Sequence, residues 1–139
     1  MNDIKNRTMN RQMSVEERFG TCMERAFKVS KLSSEKTKVG AVITNGKDSK
    51  CGVNFKSFDG TGTIIHAEEA ALSEAADFSN ATLYVTIAPC MDCALRIIKH
   101  GGIVKVVCGP PHPSPVYRCL EAIDTLKNHG IDVDLKIKC

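Results

Sequence analysis

The chain has 139 residues, 19 Lys+Arg against 16 Asp+Glu, seven cysteines and no tryptophan. That length suits one domain, because dividing it would leave each half short of apolar surface. A composition of 42% hydrophobic and 25% charged residues excludes a disordered or fibrous chain. The net charge of +3 is too weak to argue for a duplex-DNA binder by itself. No stretch approaches the ~18 apolar residues of a membrane-spanning helix.

Residues 1–13 are polar and basic and lack the apolar run of a secretory signal, so they read as a flexible N-terminal arm before one domain over 14–139. Asn6-Arg7-Thr8 and Asn80-Ala81-Thr82 match the glycosylation pattern, but without a signal they read as chance matches. Seven cysteines would leave one thiol over in a disulfide framework, which favours a reducing, cytoplasmic setting.

A first helix is expected from Ser14, where Ser14 and Glu17 form a capping box and Val15, Phe19, Cys22, Met23 and Ala26 recur at helical steps. Val39 to Ile43 reads as a buried strand, Asn45-Gly46 as a hairpin turn, and Ser49 to Asn54 as the returning strand. Phe55 to Gly62 reads as a loop. The alanine-rich segment His66 to Ala76 predicts a helix. Thr82 to Ile87 predicts a strand stopped by Pro89, and Cys90 to His100 a helix closed by Gly101-Gly102. Ile103 to Cys108 predicts a buried strand and Gly109 to Pro115 a stiff loop. Ser114 caps and Pro115 opens a last helix running to about His129, and Ile131 to Ile137 alternates as a final strand. The order is α-β-β-α-β-α-β-α-β. An antiparallel opening pair, then strands joined through helices, builds a five-stranded mixed sheet with helices on both faces.

Two motifs carry chemistry. His66-Ala67-Glu68 opens one helix, and Pro89-Cys90-Met91-Asp92-Cys93 opens the next, with one strand between. Cys90 and Cys93, three apart at a helix start, present both sulfurs to one point, and the helix N-terminus favours their thiolates. His66 supplies a third ligand. One nitrogen and two sulfurs with no evident fourth ligand describe a tetrahedral Zn2+ with an open position, where water is activated. Glu68, two residues from His66, is placed to reach that water and carry its protons. A redox Cys-x-x-Cys would not need the nearby His-x-Glu. A structural zinc completed by Cys51, Cys108 or His112 would leave Glu68 without a purpose. Cys22, Cys51, Cys108, Cys119 and Cys139 are not spaced as a second metal site and read as core or incidental residues.

On His66, Glu68, Cys90 and Cys93 the chain resembles the cytidine and deoxycytidylate deaminase superfamily, whose pattern is H-x-E followed by P-C-x-x-C. The resemblance runs from about Val15 to Lys138. Ser30 to Ile43 and Leu83 to Ala94 are most similar to deoxycytidylate (dCMP) deaminases. It implies a three-layer α/β/α sandwich, Zn2+ on His66, Cys90 and Cys93, and Glu68 as catalytic proton shuttle. It implies conversion of dCMP to dUMP, within pyrimidine deoxynucleotide metabolism and dTTP supply. It further implies a sugar contact from Asn54, contacts to the base from the Ala67 amide and the Ala88 carbonyl, and a homo-oligomer. Deaminases of cytosine, guanine or cytidine and tRNA adenosine deaminases share the zinc centre, and a non-catalytic zinc domain would not need Glu68. The weak charge and scarce aromatics argue against a nucleic-acid substrate and for a small-molecule nucleotide. The phosphate of a nucleotide needs donors or cations, and Lys56, His112, Tyr117 and Arg118 are the candidates. The chain departs from the family pattern at Ala70, where dCMP deaminases carry asparagine. It departs again at Gly52-Val-Asn-Phe55, where they carry Gly-Tyr-Asn-Gly. These positions bear on monophosphate recognition and on control by dCTP and dTTP.

Overall fold

The computed structural model describes residues 15–136, with side chains described from Cys22 onward. The arm, the Ser14 capping box, Phe19 and the end of the final strand at Ile137 lie outside the described residues or side chains. The elements are α1 (Val15–Ser30), β1 (Gly40–Thr44), β2 (Ser49–Val53), β3 (Phe55–Lys56), β4 (Ile64–Ile65), α2 (Ala67–Glu74), β5 (Ala81–Val85), α3 (Met91–His100), β6 (Ile103–Cys108), α4 (Cys119–Asn128) and β7 (Asp132–Leu135). A 3₁₀ turn at Pro115–Tyr117 precedes α4.

Five strands form one sheet in the order β2-β1-β5-β6-β7. β1 pairs antiparallel with β2 and β5, and β5–β6 and β6–β7 are parallel, as connections through helices demand. Alternation along the strands divides the core. Ala41, Ile43, Leu83, Val85, Val106 and Cys108 face α2, α3 and α4, and bury Ala71, Ile97 and Leu126 between them. Val42, Tyr84 and Val107 face the other way and bury Ala26 of α1. The result is a three-layer α/β/α sandwich, with α1 on one face and three helices on the other. No helix among the described residues is long and apolar enough to cross a membrane.

Two elements differ from expectation. The segment after Asn54 is not all loop: Phe55–Lys56 pairs antiparallel with Ile64–Ile65 as a small separate ribbon. Two-residue strands are too short to show any periodicity. The helix expected from Pro115 begins only at Cys119. The Ser114 hydroxyl does accept the Val116 amide proton (3.4 Å), but it caps a single 3₁₀ turn. The chain then turns through Arg118 in the left-handed region (φ 51°).

Candidate active site

β5 places two helix starts side by side. His66 precedes α2 as its N-cap, and Cys90 precedes α3 as its N-cap, with Cys93 one turn into α3. Helix caps favour Ser, Thr, Asp or Asn because their oxygens accept amide protons. Neither His66 nor Cys90 makes a capping bond. Their side chains meet each other instead. His66 Nδ1 lies 3.1 Å from Cys93 Sγ and 3.5 Å from Cys90 Sγ.

All three donor atoms lie within 4.8 Å of one another, and among the described residues they are the group that could hold a metal ion. Donors around a tetrahedral zinc with ~2.1 Å Zn–N and ~2.3 Å Zn–S bonds stand roughly 3.5–3.8 Å apart, so this nitrogen and two sulfurs fit zinc. Cys51, Cys108 and His112 do not join the group, which leaves the structural four-ligand site without support. The Cys90 thiol is pulled down to about 4, first by hydrogen bonding from the Cys93 thiol, with His66 adding to it and burial opposing. The same pairing drives Cys93 upward. Hydrogen bonding with Cys90 also raises His66.

Glu68 is only 4% exposed, and burial pushes its carboxyl up to about 7. It sits in the first turn of α2, where the first intrahelical bond runs from the Ala70 amide to the His66 carbonyl. The amides of Ala67, Glu68 and Glu69 therefore precede the helix's own hydrogen bonding.

Above these groups opens a cleft of about 220 Å³, lined by Thr37, Val39, Asn54, Ile64, His66, Ala67, Glu68, Ile87, Ala88, Cys90, His112, Tyr117 and Cys119. Asn54 is buried. Its Oδ1 accepts the Val39 amide proton (3.0 Å) and its Nδ2 donates to the Thr37 carbonyl (2.7 Å), which leaves one amide hydrogen for a ligand. The Ala88 carbonyl accepts a hydrogen bond from the Cys119 thiol at 3.7 Å. His112 and Tyr117 stand edge to face at 4.5 Å.

Of the expected site residues, His66, Ala67, Glu68, Cys90, Asn54, Ala88, His112 and Tyr117 line the cleft, and Cys93 closes the donor group beneath it. Lys56 and Arg118 do not. Lys56 is exposed on β3. The Arg118 guanidinium is bonded twice to the Glu121 carboxylate, at 2.6 and 3.0 Å. Thr37, Val39, Ile64, Ile87 and Cys119 also line it and carry no signal in the sequence as site residues. Cys119 is buried as expected of a core cysteine, and nothing in its spacing signals that it borders the cleft.

The family model described as the cytidine and deoxycytidylate deaminase zinc-binding region matches residues 13–110. The chain belongs to this family. Zn2+ is thus its metal, and its class of chemistry is zinc-dependent hydrolytic deamination. Similar solved structures include the dCMP deaminase of cyanophage S-TIM5. Its apo form is 26% identical with a TM-score of 0.70, over 89% of this chain and 100% of that one. Its complex with dCMP and dUMP is 25% identical with a TM-score of 0.70, over 90% and 100%. A Thermotoga maritima diaminohydroxyphosphoribosylaminopyrimidine deaminase/5-amino-6-(5-phosphoribosylamino)uracil reductase is 32% identical with a TM-score of 0.69. That match covers 84% of this chain but only 36% of the other. No curated protein sequence matches the chain.

Proposed function

We propose that this family member hydrolyses dCMP to dUMP and ammonia. The observation that carries the reading is the convergence of His66, Cys90 and Cys93 beside a buried carboxylate, Glu68, at one cleft. Similarity to the cyanophage dCMP deaminase over 100% of that chain supports the choice of substrate.

His66 Nδ1 and the thiolates of Cys90 and Cys93 would hold the zinc. When bound, the metal lowers the pKa of water toward neutrality and so supplies a nucleophile. Glu68 moves the protons. Its carboxylate takes one from water as the water oxygen bonds to C4 of the base, and delivers it to N3. A second proton passes through the same carboxyl to the departing amine, the C4–N bond breaks, and C4 becomes a carbonyl. Burial suits Glu68 to both roles, since a carboxyl near neutrality gains and loses a proton readily. The Ala67 amide donates to O2 of the base, the Ala88 carbonyl accepts from its amine, and the spare Asn54 amide hydrogen reaches the sugar.

A site of two thiolates suits a reducing cytoplasm. Exposed Leu95, Val116 and Leu120 favour assembly of the chain with copies of itself. The 32% identity to the Thermotoga protein favours a second reading, in which the substrate is a phosphoribosylaminopyrimidine.

Ammonia release from dCMP, deoxycytidine, cytosine, guanine, a phosphoribosylaminopyrimidine and an anticodon stem-loop tests the assignment. Glu68→Gln keeps size and metal ligands, and lowers dCMP turnover by about 10²–10⁴-fold at unchanged zinc content. Full activity in that variant refutes the proton-shuttle role.

A further inference from the structure

We propose that His112 reads the phosphate end of the substrate as a hydrogen-bond donor of fixed tautomer; the assignment rests on the dCMP reading above. A phosphate offers acceptors only, so some donor in the cleft must meet it. Among the described residues, no lysine or arginine lines the cleft. Arg118 is committed to Glu121, and Lys56 lies outside the lining. His66, Glu68 and Cys90 belong to the reacting centre. Among the described residues, His112 is the remaining nitrogen base of the wall.

Its local bonding decides what it can offer. His112 Nδ1 accepts the backbone amide proton of Ser114 at 3.0 Å. An amide N–H can only donate, so Nδ1 carries a lone pair and the ring proton resides on Nε2. The Ser114 bond thus leaves Nε2 as the ring's donor. Tyr117, edge to face at 4.5 Å, fixes the plane of the ring. The Pro-rich loop 109–115 adds backbone stiffness on both sides of it. Together these make a donor whose tautomer and orientation are established before a ligand arrives, which lowers the ordering cost of binding.

The test compares kcat/KM for dCMP and for deoxycytidine in the zinc-loaded wild type, His112→Phe and His112→Gln. Phe keeps the ring contact with Tyr117 and removes both nitrogens, and Gln restores a donor. Hydrogen bonds to charged groups are strong enough that His112→Phe lowers the dCMP-to-deoxycytidine preference by roughly 10–100-fold, and Gln recovers part of it. A preference ratio unchanged in His112→Phe overturns the assignment, including where both substrates slow together. Wild-type protein that deaminates dCMP no better than deoxycytidine overturns it too, while leaving the deaminase reading intact. Wild-type protein that leaves dCMP unchanged overturns both. Thermal melts of the two variants identify any loss due to misfolding, and Gln then carries the comparison.

Discussion

Gly52→Ala adds one methyl group to edge strand β2, beneath the helix that bears His66 and Glu68. A Cβ at Gly52 would stand 2.6 Å from the Ala67 carbonyl oxygen, 2.6 Å from the Ala71 amide nitrogen and 2.9 Å from Ala70 Cβ. Two of these are backbone atoms of α2, so no side-chain rotation relieves them. Reaching an ordinary contact of ~3.4 Å requires roughly 0.8 Å of separation between β2 and α2. Overpacking of this kind costs about 1–3 kcal/mol, or a fall in melting temperature of roughly 3–12 °C for a chain of this size. The site suffers more than the fold, because α2 moves while Cys90 and Cys93 stay with α3. Displacement of catalytic groups by about 1 Å costs up to ~10²-fold in rate. The assay pairs thermal melts with zinc competition against a chromophoric chelator and with ammonia release. Gly46→Ala is the control, since its Cβ meets nothing within 4 Å and the strain is confined to a hairpin tip at φ 93°. Wild-type zinc affinity and rate in Gly52→Ala would show that α2 is not held against β2 as described.

Four further outcomes follow from the same structure. Asn54→Ala deprives the Val39 amide and the Thr37 carbonyl of their partners; it should cost about 2–4 kcal/mol in denaturant titrations and raise KM. Among the described cysteines of the zinc-loaded protein, where the metal occupies Cys90 and Cys93, exposed Cys51 should react first with a thiol reagent near pH 8, whereas Cys108, whose thiol burial pushes up to about 12, stays silent in mass spectra of the labelled protein. Because folded Cys108 holds its proton while the unfolded thiol releases one, its contribution to stability is full below the ordinary value of 9.0 and declines toward about 12. Cys108→Ala should therefore narrow the gap in melting temperature between about pH 8 and about pH 10.5. Chelation should abolish ammonia release and lower the melting temperature, with both restored by Zn2+; acid should release the metal, since protons compete for His66 and both thiolates.

The donor group of His66, Cys90 and Cys93 with Glu68 near it was legible in the sequence because its motifs are local. His-x-Glu and Cys-x-x-Cys each sit at one helix start, and the only long-range fact needed was a single strand between them. The mixed character of the sheet, an antiparallel opening pair followed by parallel strands, was legible from the Asn45-Gly46 turn and from strands separated by helices. The mouth of the cleft was not legible in the same way. Lys56 and Arg118 carry the right charge for a phosphate, but where they point depends on tertiary context. Lys56 entered a two-residue ribbon that no periodicity announces, and Arg118 took a left-handed backbone and turned to Glu121 three residues on. His112 and Tyr117 do line the cleft, yet the tautomer of His112 emerges only from the Ser114 amide. Ser114 and Pro115 are true helix-start signals that launched a single turn, because Arg118 breaks the path before Cys119.

The ligands lie far apart along the chain: His66 is separated from Cys90 by 24 residues and from Cys93 by 27. A disordered polypeptide can offer an ion only the adjacent cysteine pair, since bringing the imidazole to it means closing a loop of that length against chain entropy. A newly made molecule therefore gains its full grip on zinc only after β5 has docked between β1 and β6. Metal uptake measured during refolding would act as a clock for the central sheet, and the ion would discriminate the finished architecture from every looser state that precedes it.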